Sequence, residues 1–308
     1  MEIDEIETYE DMVILFNNIH GSDGILQFLR ENGLLKKRGP RCCNRMMKEC
    51  PYGRNRRFGK TWRCSLCRKT RLPLVGSFFE RSRLNPLVIL KVAYSYLVLK
   101  LNYKAIRACV KNAPAHQNLT DWLQFCRDVL SHDLLRDKDK LGGVGKVVVV
   151  DQTAFARRER RKGSQDVHET IWILGIYDVE EKKGVLVYIE DRSHEAIIPK
   201  VQDHVEQGST IYTDELRTYA CLANRGYDHK TVNRSHEPAA NDGTPISHMK
   251  AKNHIKGYFS HLKKYLRKRN VGLPESLPGY LDEFMWMERH QEDTWGSFLR
   301  AVRRQYRC

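Results

Sequence analysis

Apolar and polar positions change rhythm three times along this chain, and each change marks a different kind of structure. Residues 8–35 carry two short helical patterns, YEDMVILFNNI and DGILQFLRENGLL, broken between Gly21 and Gly24 and closed by Gly33, which predicts a helical lead-in over 1–35. From Lys36 to about Val75 the periodicity vanishes into Arg, Lys, Cys and Gly. A stretch of that composition cannot bury a core of its own. The 3.6-residue rhythm returns in LNPLVILKVAYSYLVLKL, NYKAIRACVKNA and LTDWLQFCRDVLSHDLL, predicting three helices in a region spanning 82–136. Asn85-Pro86 reads as the start of the first and Thr120 as the N-cap of the third. Helices so spaced fit a helix-turn-helix reader or a plain helical connector equally well, and Cys109 and Cys126 fall on apolar faces as packing residues.

After the charged, Gly-rich run RDKDKLGGVGK the rhythm becomes that of strands. Strands are predicted at 146–155, 170–179, 184–190 and 209–213, with a helix over EAIIPKVQDHVEQ between the last two. A helix near 216–224, a short strand near HKTVN and long helices over 253–269 and 278–290 follow. Three strands in succession, then alternation, then helices is the order of an α/β, ribonuclease-H-like domain, placed here at 146–295. Four β-branched residues, Val147 to Val150, lead into Asp151, and STIYTDELRTY delivers Asp214 from another strand 63 residues later (214 − 151). One such Asp alone is more often a cap or turn residue. The pair points to carboxylates holding divalent metal.

Charge sharpens that picture. Among 308 residues, 53 Lys and Arg stand against 38 Asp and Glu, a formal net charge of +15, which suits a polyanionic partner. No run of about 18 apolar residues offers a membrane span, so nucleic acid is the expected partner. The acidic start MEIDEIETYEDM does not read as a signal peptide, so the nine cysteines are expected in a reducing compartment, where clustering indicates metal before disulfide. Cys64 and Cys67 form a CxxC knuckle. With Cys43 and Cys50 they make a four-thiolate Zn2+ set for a zinc-ribbon-like segment over 36–78, Cys42 being the alternative, because neighbours Cys42 and Cys43 are not expected both to reach one metal. The basic residues from Arg54 through Arg71 would then face phosphate.

Several blocks together resemble a known family. VVVDQTAF with its Arg-rich sequel, TIWILGIYD, EDRSHEAIIPKVQDHVEQGSTIYTDELRTY, TVNRSHE and LPGYLDEFMWMERH are similar to the Merlin superfamily of DNA transposases and to their bacterial insertion-sequence relatives. The knuckle and TRLPLVGSFFERSRL are similar to that family's N-terminal region. The resemblance implies a DDE domain in which Asp151, Asp214 and a Glu on a later helix bind two Mg2+ or Mn2+ ions that activate water or a 3′ hydroxyl against phosphate. It also implies DNA as partner, a homodimer holding paired ends, and a nuclear location. The third position departs from the pattern: in NHIKGYFSHLK, Lys256 stands where the family has Glu and Phe259 where it has Trp, while Lys263 aligns.

A Lys in that place adds a cation where metal should sit, so cleavage is expected to be impaired. Glu237, Asp242, His248 and His254 are the candidate substitutes as third ligand in a working enzyme. A protein-interaction module without DNA binding is the third reading. The DNA contacts expected are Arg157, Arg158, Arg160, Arg161 and Lys162 on the loop after the first strand, and Lys263, Lys264 and Arg267 on the late helix.

Overall fold

A computed structural model of the chain describes residues 3–51, 58–136, 139–162, 165–214, 217–231, 248–271 and 274–306. Two units divide it: Met1–Asp133 together with His290–Cys308, and Leu134–Arg289.

In the first unit, α1 (Tyr9–Asn17) opens on a capping box in which the Thr8 hydroxyl accepts from the Asp11 N–H and the Asp11 carboxylate accepts from the Thr8 N–H. α2 spans Gly21–Glu31. A tight hairpin of β1 (Arg41–Cys42) and β2 (Arg45–Met46) precedes a three-stranded antiparallel sheet of β3 (Lys48–Pro51), β4 (Lys60–Arg63) and β5 (Thr70–Arg71). Next come α3 (Pro86–Leu97), α4 (Tyr103–Cys109) and α5 (His116–Leu134). Asn85 caps α3 by accepting from the Leu87 N–H, with Pro86 following at the first helical position.

Two sequence expectations fail here. Thr120 is not an N-cap, because α5 begins at His116 and the Thr120 hydroxyl instead bonds the His116 carbonyl one turn back. Cys109 is exposed rather than packed, whereas Cys126 is buried as expected.

The second unit contains β6 (Leu141–Gly142), β7 (Val147–Lys162), β8 (Gln165–Asp178), β9 (Lys183–Ile189), α6 (His194–His204), β10 (Val205–Glu206), β11 (Thr210–Thr213) and β12 (Asp228–Thr231), then α7 (His248–Arg269) and α8 (Leu277–Arg289). The last helix, α9 (Thr294–Tyr306), returns to the first unit, where the Trp295 indole N–H donates to the Ile3 carbonyl at 2.9 Å and Arg303 pairs with Asp4. The unit boundary therefore falls at residues 134 and 289.

Five strands form the main sheet in the order β12-β11-β7-β8-β9, so the fold is mixed α/β. β7, β8 and β9 run antiparallel, and β11 lies parallel to both β7 and β12. Val147 to Val150 are all buried in this sheet. β7 and β8 extend far beyond the expected ends, to Lys162 and from Gln165, so residues 157–162 lie on a strand and not on a loop. Their alternation of charge gave no strand rhythm; backbone pairing with β8 sets their conformation. The expected helix near 216–224 is two short 3-10 turns, Arg217–Tyr219 and Ala223–Arg225, the second ended by Gly226 at φ 88°. Buried Tyr219 and Leu222 anchor it from too few positions for a regular helix.

α7 packs across β7, β8 and β11. Two glycines let it approach: a Cβ at Gly175 would lie 2.6 Å from the Phe259 ring, and one at Gly184 would lie 2.4 Å from the Tyr258 ring. Gly175→Val should therefore cost about 1–3 kcal/mol, the usual range for overpacking a filled core. Urea denaturation of the variant reads it, and an unchanged midpoint would show that α7 yields freely.

Candidate functional site

Strand register places the two acids. Thr210, Ile211 and Tyr212 pair with Val147, Val148 and Val149, and carrying this parallel register two residues further sets Asp214 opposite Asp151. Neighbouring strands lie about 4.8 Å apart, and side chains at matched positions share a face. Asp151 also pairs with Gly175 on β8. Since the open side of Gly175 is filled by Phe259 of α7, Asp151 projects from the face that α7 covers.

Burial pushes the Asp151 carboxyl above the ordinary carboxylate range. The charge of Asp214 acts in the same direction, while the Gln152 N–H (2.8 Å from its Oδ1), Lys252 and Lys256 oppose the shift without cancelling it. Both lysines belong to α7 and stand one turn apart, Lys252 half-buried and Lys256 exposed. Sequence reasoning found Lys256 and missed Lys252. The signal was present, because four residues of helix return to the same face. The buried Tyr219 hydroxyl accepts a hydrogen bond from the Gln152 side-chain amide at 2.7 Å, and the Gln152 side-chain carbonyl accepts from Arg192, whose guanidinium lies 4.5 Å from the centre of the Trp172 ring.

Two divalent ions need a donor-rich, electronegative site. Among the described residues, the two carboxylates share their surroundings with two ammonium groups on the adjacent helix, whose charge opposes that of an incoming cation. Among the substitutes considered, Glu237 and Asp242 lie outside the described residues, as does the side chain of His248. His254 is exposed and its ring stacks at 10° on Tyr177, 6.2 Å away.

The cysteine cluster is better formed. One sulfur each from Cys42, Cys43, Cys64 and Cys67 lies within 4.8 Å of the other three. Cys42 and Cys67 stand 3.5 Å apart, and Cys42 and Cys43 3.9 Å. Both adjacent residues thus reach the same point, contrary to the sequence expectation, because Cys43 and Asn44 take left-handed backbone (φ 50° and 56°) in the tight β1–β2 hairpin and so turn both thiols inward. Cys50 is outside the cluster: it pairs with Thr61 in the β3–β4 ladder. The Cys67 and Leu66 backbone N–H groups hold the Cys64 thiol down to about 7, whereas hydrogen bonding to Cys67 pushes Cys42 up to about 12. Four sulfurs at this spacing fit a tetrahedral ion, and a cation would relieve the cost of ionising all four.

Of the expected DNA contacts, the side chains of Arg157, Arg158, Arg160, Arg161 and Lys162 lie outside the described residues. Lys264 and Arg267 are exposed and Lys263 half-buried on α7.

Residues 135–289, which are 155 of the 308, match the model of the ISXO2-like transposase domain, and the chain belongs to that family. Among solved structures it is similar to a chain in the cryo-EM structure of the simian T-cell lymphotropic virus intasome in complex with PP2A regulatory subunit B56 gamma. That likeness is 14% identical, covers 62% of this chain and 66% of that one, and has a TM-score of 0.28, too loose to place any residue. No curated protein matches the chain.

Proposed function

We propose that this chain is a DDE-type transposase derivative that binds DNA and in which strand cleavage and transfer are impaired. The observation that carries the reading is that Asp151 and Asp214, at the ends of neighbouring strands of one sheet, are joined among the described residues by the charges of Lys252 and Lys256. The acid pair is the relic of a metal-dependent phosphoryl-transfer site. The lysines replace the charge that metal would bring, so the fold is kept without it. Strand order β12-β11-β7-β8-β9 with a parallel β11 supports a ribonuclease-H-like domain, and the cysteine cluster supports a zinc-ribbon-like segment that packs around Zn2+ for stability rather than chemistry. Descent from the Merlin branch, domestication, a nuclear location and a homodimer belong to the same proposal.

DNA binding has a physical track on α7. At about 100° per residue, Lys252, Lys256, Lys263 and Arg267 fall within a stripe of about 60°, running roughly 22 Å from the acid pair along the helix. The buried residues Ile255, Phe259, Leu262 and Leu266 occupy the neighbouring stripe, which keeps the cations at the sheet's margin.

Purified protein incubated with DNA ends and Mg2+ or Mn2+ tests this. The expected result is binding that weakens steeply with salt and no nicking. Nicking that disappears in Asp151→Ala would establish the alternative of an active transposase. Absence of binding even at low salt would favour a protein-interaction module.

Zinc is tested separately. One equivalent of Zn2+ should copurify, and Cys64→Ser should lose it together with the thermal transition of the first unit. Full metal content in that variant would remove Cys64 from the ligand set.

A further inference from the structure

A trough in the first unit is lined by none of the four clustered cysteines. It runs between the end of β5 and the segment 72–83, with a volume of about 690 Å³, in the range of sites that hold one organic ligand. Its floor is apolar: Phe58, Pro73 and Leu74 are buried, and Leu72 stays half exposed at the surface.

Cations stand along its lining. Lys60 is already paired with Asp23 at 2.8 Å, and the Glu80 carboxylate accepts from the Gly76 N–H at 3.0 Å. Arg71, Arg81 and Arg83 are exposed and have no acidic partner among the described residues. Arg81 is held in left-handed backbone at φ 61°, a conformation an arginine rarely adopts. Three guanidiniums around an apolar floor are complementary to a chain that alternates anionic links with flat apolar rings.

We propose that this trough binds an unpaired stretch of DNA, its phosphates on Arg71, Arg81 and Arg83 and a base laid on the floor formed by Leu72 and Leu74. A duplex presents phosphates but keeps its bases stacked inside, so it satisfies the arginines and leaves the apolar floor uncovered. An unpaired strand satisfies both, since base contacts with apolar surfaces tolerate any sequence. The proposal rests on the DNA-handling reading for its ligand class and does not depend on the acid pair.

Fluorescence anisotropy of the full chain with a fluorescein-labelled twelve-nucleotide oligothymidylate, and with a twelve-base-pair duplex, tests it. Wild type should bind the oligothymidylate. Arg71→Gln/Arg83→Gln, which removes both charges and keeps a hydrogen-bonding side chain at each position, should weaken that binding at least tenfold. It should also lower the slope of log K against log salt by about 1.4, two contacts at roughly 0.7 each. Leu72→Gln, at a half-exposed position, removes apolar surface without adding charge and should weaken oligothymidylate binding at least threefold while changing duplex binding less than twofold.

Unchanged oligothymidylate binding in both variants, with duplex binding intact, would overturn the trough alone. Equal losses for strand and duplex in the Leu72 variant would also overturn it, because the floor would then make no distinction between the two. A chain that binds neither probe removes the DNA-handling reading as well. Circular dichroism and zinc content matching wild type certify that the variants are folded.

Discussion

Replacing Lys252 by Met and Lys256 by Glu together should raise the affinity of the acid pair for Mn2+ at least about 100-fold. A unit charge about 8 Å from a divalent ion contributes on the order of 2 kcal/mol even at an effective dielectric near 40. The double change removes two such cations and adds one carboxylate, and roughly 1.4 kcal/mol is already a factor of ten. Lys256→Glu alone changes the charge by two of those three units and should give most of the gain, the remainder being held back by Lys252, which still faces Asp151 from one turn away on α7. Electron paramagnetic resonance titration of free Mn2+ gives the answer without any need for catalysis. If the double variant folds and binds no more Mn2+ than the parent, the lysines are not what keeps metal out. Loss of the gain on adding Asp151→Asn would place the new ion at the intended carboxylates.

A second large effect is expected at the buried ion pair between α7 and α8. Arg269 Nη2 and Glu283 Oε1 are 2.7 Å apart, with side chains only 4% and 0% exposed. Attraction inside the protein barely repays the cost of drying two charges, but a buried guanidinium that loses its carboxylate keeps the full cost with only neutral contacts such as the Tyr265 hydroxyl to offset it. Glu283→Leu should cost about 3–5 kcal/mol, lowering the melting temperature by about 10 °C for a unit of this size. Arg269→Met/Glu283→Leu should recover most of that loss. A single-variant cost under about 1 kcal/mol would mean that water reaches the pair. The consequence extends to the acid site, because this pair ties down the C-terminal end of the helix whose first half carries Lys252 and Lys256.

Much of the second unit was legible in the sequence because its signals are short-range. A run of valines can satisfy only a covered strand, and an Asp at its end marks the sheet edge where chemistry collects. The register that sets Asp214 opposite Asp151 is not local, yet the sequence order of strands implied it. What escaped reading was set by partners distant in the chain. Residues 157–162 look like a charged loop until β8 pairs with them. Lys252 sits in a polar stretch whose meaning depends on which face α7 turns to the sheet. The zinc set was read with Cys50 because adjacent cysteines in ordinary backbone diverge, and only the left-handed turn at Cys43 and Asn44 brings them together. Helix α9 carried an amphipathic pattern in WGSFLRAVRRQY that no expected domain claimed.

The return of α9 to Ile3 and Asp4 has a consequence for biosynthesis. On the ribosome, the opening segment emerges some 290 residues before the tryptophan that covers it. The first unit must therefore wait, unfinished, while the whole α/β unit is made and closes on itself, and a stalled or truncated product would display its aromatic interior to every chaperone and protease nearby.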